Sequence, residues 1–353
     1  MRKILVIYTG GTIGMIKNQQ SGALEPFCFA NIYEQLPMLR LIDAEISIKE
    51  MNPLIDSSDA NPAFWIMLAE MIYKNYESFD GFVVLHGTDT MSYTASALCY
   101  LLENLAKPVV LTGSQLPLGV MRTDGRENIL NSIEIAADYR NGKPMVPEVC
   151  LYFQNALFRG NRTYKANAEQ FNAFESANYP KLAEIGVNIK YNEHYIRPAS
   201  DKPLILHKKM DDNIAILKLY PGITNKAVQS ILQIPGLRAV IMETYGSGNA
   251  PTGKTFIQIL QNAIENGLII VNVTQCKGGG GVELGKYETS LHLGKIGVIS
   301  GGDMTTEACV AKLMYLLGEG LSNEEVKYWI PKALRGEVSS PNTSDMPERV
   351  ITT

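Results

Sequence analysis

Hydroxyls set among glycines at the ends of apolar runs are the residues of this chain best placed to do chemistry. Lys3-Ile4-Leu5-Val6-Ile7-Tyr8 leads straight into Thr9-Gly10-Gly11-Thr12-Ile13-Gly14, and Phe82-Val83-Val84-Leu85 leads into His86-Gly87-Thr88-Asp89-Thr90. A strand ending in such a turn presents its last side chains at one rim of a sheet. Glycines without a Cβ let another backbone or a small ligand come close, and their N–H groups can serve an anion or a developing oxyanion. An alkoxide made from Thr12 would need a base and fixed donors for the charge that develops. Two strand ends carrying Thr and Asp beside glycine predict one shared pocket.

Each of these residues also has a plainer use. A glycine-flanked threonine is usually a turn residue, and Thr-Asp-Thr at 88–90 can cap the following helix. Ser57 and Ser58 in Asp56-Ser57-Ser58-Asp59 read as capping and turn chemistry, Lys165 as a solvated charge, and His86 as a satisfied rim or core histidine. There is no H-E-x-x-H, no readable Ser/His/Asp arrangement, and Gly113-Ser114-Gln115 is not a nucleophile elbow. These absences argue against a serine-hydrolase triad and a zinc amidase.

The elements that must position the hydroxyls alternate. Residues 45–50 read as a half-buried strand, and Asn61-Pro62 as the N-cap and first position of a helix to about Ser78. A strand at 82–87, a helix at 90–104, a strand at 108–115, a helix at 125–139 and a strand at 149–153 follow. This order means βαβ units and an α/β fold, with a mostly parallel sheet flanked by helices. Ligands of such sheets bind beyond the carboxyl ends of the strands, where Thr12, Thr88, Asp89 and Ser114 fall. The expected division is an N-terminal domain at 1–190, a linker at 191–213 and a smaller C-terminal α/β domain at 214–353, with strands at 214–219, 239–243, 268–273 and 297–300.

A chain of 353 residues is long for one core, and 46% hydrophobic with 19% charged residues is ordinary for a soluble protein. The net charge of −4 offers no basic surplus, so small molecules rather than nucleic acid are the expected partners. Cysteines at 28, 99, 150, 276 and 309 make an odd set without C-x-x-C spacing, so neither a disulfide framework nor a zinc site is expected; no metal and no other cofactor are expected. The first strand begins by residue 3, which leaves no room for a leader, and no apolar run reaches membrane-span length. A cytoplasmic location is expected.

Tyr8 to Gly14, Asp56 to Asp59, Leu85 to Thr90 and Arg159-Gly160-Asn161-Arg162-Thr163-Tyr164-Lys165, taken together and in this order, resemble the bacterial-type L-asparaginases, most closely the cytoplasmic type I branch. The resemblance runs to about Gly336. It implies that Thr12 attacks the side-chain amide of L-asparagine and forms a β-aspartyl ester that water hydrolyses. It implies that Thr88 and Lys165, oriented by Asp89, relay the proton. A lysine in a partly desolvated site beside a hydroxyl can accept one. Ser58 would hold the substrate carboxylate and Asp89 its ammonium, with Gly11, Ser57, Asp59, Thr88 and Ser114 also lining the pocket. The resemblance further implies a homotetramer built as a dimer of dimers, with Asn249 close to the substrate of a neighbouring subunit.

The chain departs from the family motifs at two places, and parts of the pattern are shared with other functions. The segment from Met15 to Phe29 would be a lid; where some members carry a tyrosine that helps activate the nucleophile, this chain has Ala23 or Leu24, with Tyr8 and Tyr33 nearest. Type I members can carry a regulatory asparagine site near Thr274-Gln275-Cys276, but Glu243 stands where an arginine is usual, which predicts weak or absent cooperativity. A mixed glutaminase-asparaginase, an amidotransferase component and an amino-acid sensor share parts of the pattern. Separately, Gly248-Asn249-Ala250-Pro251-Thr252-Gly253-Lys254-Thr255 fits the P-loop letters. The apolar run after it ends in Thr274-Gln275 without the expected metal-binding aspartate, so a nucleotide-binding protein is the less favoured reading.

Overall fold

The computed structural model describes residues 1–17, 24–26, 32–285 and 288–339. The chain forms two compact α/β units, Met1–Lys208 and Lys209–Thr353. The first holds an eight-stranded sheet in the order Ile189–Tyr191, Ala183–Ile185, Ala156–Arg159, Val149–Phe153, Val109–Thr112, Gly81–Leu85, Arg2–Tyr8, Ala44–Glu50. From Val149–Phe153 to Ala44–Glu50 the pairing is parallel. Residues 4–8, 82–85 and 109–111 are buried, which is why these strands read as continuous apolar runs rather than alternating ones.

The remaining strands pair antiparallel and were not legible as strands. Gln154 and Asn155 both have positive φ, the geometry of a two-residue hairpin turn, and send the chain back along Val149–Phe153. The return strand ends at Arg159, whose guanidinium makes a buried two-point contact with Glu148 at 2.6 and 3.1 Å and also donates to Tyr195 O at 2.9 Å. The turn at 160–162 that leads to Lys165 starts from this fixed point.

The helix Pro62–Asn75 begins as expected, with Asn61 Oδ1 accepting from Phe64 N at 3.1 Å and Pro62 in the first turn, and tightens into a 3-10 turn at Tyr76–Ser78. The helix Met91–Leu101 stops short of Asn104 because Leu102–Glu103 pairs antiparallel with Ile205–Leu206. His207 adds a 2.8 Å contact to Glu103. Residues 191–208, read from the sequence as part of a linker, therefore carry backbone and side-chain bonds of the first unit, and the division falls at Lys208.

The second unit has four parallel strands, Ile214–Lys218, Ala239–Thr244, Ile269–Thr274 and Ile299–Ser300. Leu217, Val228, Val240, Phe256, Leu260 and Ile270 form its core with the helices Asn225–Leu232 and Lys254–Glu265. The helix Thr306–Gly318 carries Lys312, fully buried against Glu337 at 2.5 Å. Among the described residues no helix is long and apolar enough to cross a membrane.

Candidate active site

Register lines up the strand ends. Tyr8 pairs with Leu85 and Leu85 with Thr112, so the turns after these strands leave the same edge of the sheet. Thr9 ties two of them, its backbone N and its Oγ1 both donating to Leu85 O at 3.0 and 3.1 Å. Gly10 and Gly11 have φ of 123° and 90°; a Cβ on Gly10 would run into Ile55 O, and one on Gly11 would lie 2.6 Å from the Cα and N of Gly87. A Cβ on Gly87 would in turn lie 2.5 Å from Ser57 Oγ. Only glycine permits this three-way contact, which brings the segments around Gly11, Ser57 and Gly87 to one place. Thr12 follows directly, half-buried in a 3-10 turn of three residues.

The 56–59 turn is held from within and from outside. Asp56 Oδ1 accepts from Ser58 N at 2.9 Å and from Ser58 Oγ at 2.8 Å, and these bonds keep its carboxyl below the usual range. Thr90 Oγ1 donates to Ser57 O at 2.6 Å. Ser57 is buried, while Ser58 and Asp59 are exposed.

Lys165 arrives from far along the chain. It sits in a short antiparallel pair, Tyr164–Lys165 with Phe174–Glu175, braced by Tyr164 OH on Glu175 Oε2 at 2.8 Å. Its Nζ lies 2.7 Å from Thr88 Oγ1 and 2.7 Å from Asp89 Oδ1. The lysine side chain is 19% exposed and that of Asp89 is 68% exposed, so the ammonium is shielded while the carboxylate faces solvent. A hydroxyl, an amine and a carboxylate within single hydrogen bonds of one another can pass a proton and hold a cation.

The structure thus gathers Gly11, Ser57, Thr88, Asp89 and Lys165, with Thr12, Ser58 and Asp59 on the adjoining turns. Ser114 lies at the neighbouring strand end, yet its hydroxyl donates to Leu116 O at 2.6 Å within its own loop. Asn249 belongs to the second unit, in a turn whose backbone pairs with Tyr245. Gln115, not singled out from the sequence, accepts from Thr88 Oγ1 at 3.2 Å. A polar residue just past a buried strand, one position beyond Ser114, was its only signal.

Among the lid candidates, Ala23 lies outside the described residues and Leu24 falls in a short strand paired with Met15–Lys17. Tyr33 packs against the first core. Tyr8 donates to Gly11 O at 3.4 Å, and burial, reinforced by Glu50, pushes its phenol up to about 12. A phenol so reluctant to ionise is a poor base for Thr12. His86 is fully buried, with Nδ1 2.6 Å from Gly87 O and Nε2 2.9 Å from Thr94 Oγ1. Burial lowers it to about 4, so it stays neutral and structural.

The P-loop letters do not build a phosphate cradle. Gly248 N and Asn249 N both donate to Tyr245 O, at 3.0 and 2.8 Å, closing the turn on itself. Glu243 is buried, accepting from Thr306 Oγ1 at 2.6 Å with Lys218 Nζ at 3.5 Å. Among the described residues no cluster of three or more His, Cys, Asp or Glu could hold a metal ion.

A fold of two α/β units, with Thr88 and Asp89 just past the end of a parallel strand and met there by Lys165 from a short antiparallel pair, suits an amide hydrolase, and the comparisons make the class specific. The family model described as asparaginase, N-terminal, matches residues 3–197, and the glutaminase/asparaginase C-terminal domain matches 213–330. L-asparaginase 1 of Escherichia coli (strain K12) is 44% identical, over 96% of this chain and 98% of that one. A 60 kDa lysophospholipase of Mus musculus is 43% identical over 97% of this chain but 63% of its own length. The crystal structure of L-asparaginase I from Vibrio cholerae superposes with a TM-score of 0.87 at 41% identity, covering 96% of this chain and 99% of that one. The chain belongs to the asparaginase family of amidohydrolases.

Proposed function

We propose that the protein hydrolyses L-asparagine to L-aspartate and ammonia through an ester on Thr12. Thr12 Oγ1 bonds to the side-chain amide carbon, the carbon–nitrogen bond breaks, and the nitrogen takes a proton and leaves as ammonia. Water then attacks the ester, aspartate departs and Thr12 regains its proton. Thr88 and Lys165 move the proton, while N–H groups at Gly11 and Thr88 receive the oxyanion. Ser58 and Asp89 fix the two charged ends of the substrate. The observation that carries this reading is Lys165 Nζ at 2.7 Å from both Thr88 Oγ1 and Asp89 Oδ1.

Ammonia release from asparagine and from glutamine, on wild type and on Thr12→Ala, tests it. Asparagine is expected to be the better substrate, although one methylene shifts pocket fit by only about 1–3 kcal/mol. Release from neither amide sinks the reading.

The type I likeness also supports a cytoplasmic homotetramer in which Asn249 lines a neighbouring subunit's site. Light scattering is expected to find four chains; a stable, fully active monomer contradicts this. Regulation should be weak, because Glu243 stands where an arginine would receive a ligand carboxylate and its own carboxylate is already engaged by Thr306 and Lys218. The rate is expected to follow a hyperbola in asparagine concentration, and a sigmoid would refute the argument.

A further inference from the structure

Resting on the asparaginase reading, we infer that Gln115 is a positioning residue that sets the direction of the Thr88 hydroxyl and ties it to the backbone following Lys165. The orientation of its amide follows from its partners. Gln115 Nε2 lies 3.0 Å from Ala168 O and 3.1 Å from Gln170 O, and carbonyl oxygens only accept. The nitrogen therefore faces that loop and the oxygen faces Thr88. Lys165 Nζ donates to Thr88 Oγ1 and so uses one lone pair of the hydroxyl, and the threonine proton points at Gln115 Oε1.

Two consequences follow. Thr88 Oγ1 is presented as a hydrogen-bond acceptor, with its second lone pair suited to orient a hydroxyl or a water. The loop at 168–170, three to five residues beyond Lys165, is clasped to the strand end that carries Gln115, whose own N donates to Asp124 Oδ1 and Oδ2 at 3.1 and 3.0 Å. One amide thus holds the hydroxyl and the segment bearing the amine in a common frame. Neither bond touches the groups assigned to the charged ends of the substrate.

Gln115→Met keeps the length and removes both polar ends. It is expected to lower kcat for asparagine by about 10–100-fold, as a misplaced relay does, with KM changed less than about threefold and the thermal midpoint retained. Gln115 is only half-buried on a loop, and Gln115→Ala carries the same expectation should the methionine variant misfold. In a Thr88→Val background, where no hydroxyl is left to orient, the further loss from Gln115→Met should shrink to about threefold or less. An unchanged kcat, a rise in KM alone, or an equal loss in both backgrounds overturns the inference while leaving the asparaginase reading standing. An inactive wild type overturns both.

Discussion

Thr12→Ala is expected to lower kcat for asparagine by about 1,000-fold or more, the scale on which loss of a covalent nucleophile falls. The variant removes the atom that would form the ester and little else. Gly10 and Gly11, whose backbones are wedged against Ile55 and Gly87, keep the turn in place without help from the Thr12 side chain. The Asp56–Ser58 bonds and the Lys165–Asp89 contact are untouched, so affinity for asparagine should change little. Steady-state ammonia release gives the rate, and calorimetric titration of the inactive variant gives the affinity. Mass spectrometry with a slowly turned-over substrate is expected to find the acyl group on the peptide containing Thr12. Near-normal turnover in the alanine variant, or a label on another residue, removes the covalent assignment without disturbing membership of the family.

Lys312→Met is expected to destabilise the second unit by about 3–5 kcal/mol, the cost of breaking a buried ion pair on one side. Lys312 and Glu337 are both fully buried. The ammonium donates to Ile330 O at 2.8 Å and Lys332 O at 2.5 Å besides meeting Glu337, and Glu337 accepts from Leu334 N at 3.0 Å and Arg335 N at 2.7 Å. These bonds fasten the chain after the helix Asn323–Trp329 onto the helix Thr306–Gly318. Burial by itself would raise the Glu337 carboxyl; the nearby ammonium and the two backbone N–H groups outweigh it and hold the carboxyl below its ordinary range. A glutamate held low contributes stability above its unfolded-state value, and that contribution fades as pH falls toward its folded value. Without Lys312 the carboxylate loses its counter-charge and must be buried uncompensated or take up a proton. Urea unfolding at neutral pH should show the loss, and adding Glu337→Gln should return part of it. A change under about 1 kcal/mol in the single variant would mean that the pair is idle.

Local chemistry explains what could be read along the chain. Apolar runs of strand length between helical stretches set the parallel α/β order, because a strand buried on both faces must be apolar throughout. Asn61 and Pro62 marked a helix start, and glycines at 10 and 11 marked a turn, because capping and positive φ are decided within a few residues. The family motifs pointed to Thr12, Ser58, Thr88, Asp89 and Lys165 on the same footing, although taken singly Lys165 looked like any surface charge.

What only tertiary structure decided is which of these groups meet and what each is bonded to. Lys165 reaches Thr88 and Asp89 across 77 and 76 positions of sequence, a meeting set by strand register and by the Arg159–Glu148 anchor rather than by any local pattern. The antiparallel edge of the first sheet depended on two positive-φ residues at 154 and 155 that carry no glycine. Ser114 and Gln115 are neighbours, yet the hydroxyl of one turns into its own loop while the amide of the other reaches Thr88. The boundary at Lys208 came from pairing of Ile205–Leu206 with a strand a hundred residues earlier. Periodicity and turn chemistry are properties of neighbours in sequence, whereas hydrogen-bond partners are chosen by neighbours in space.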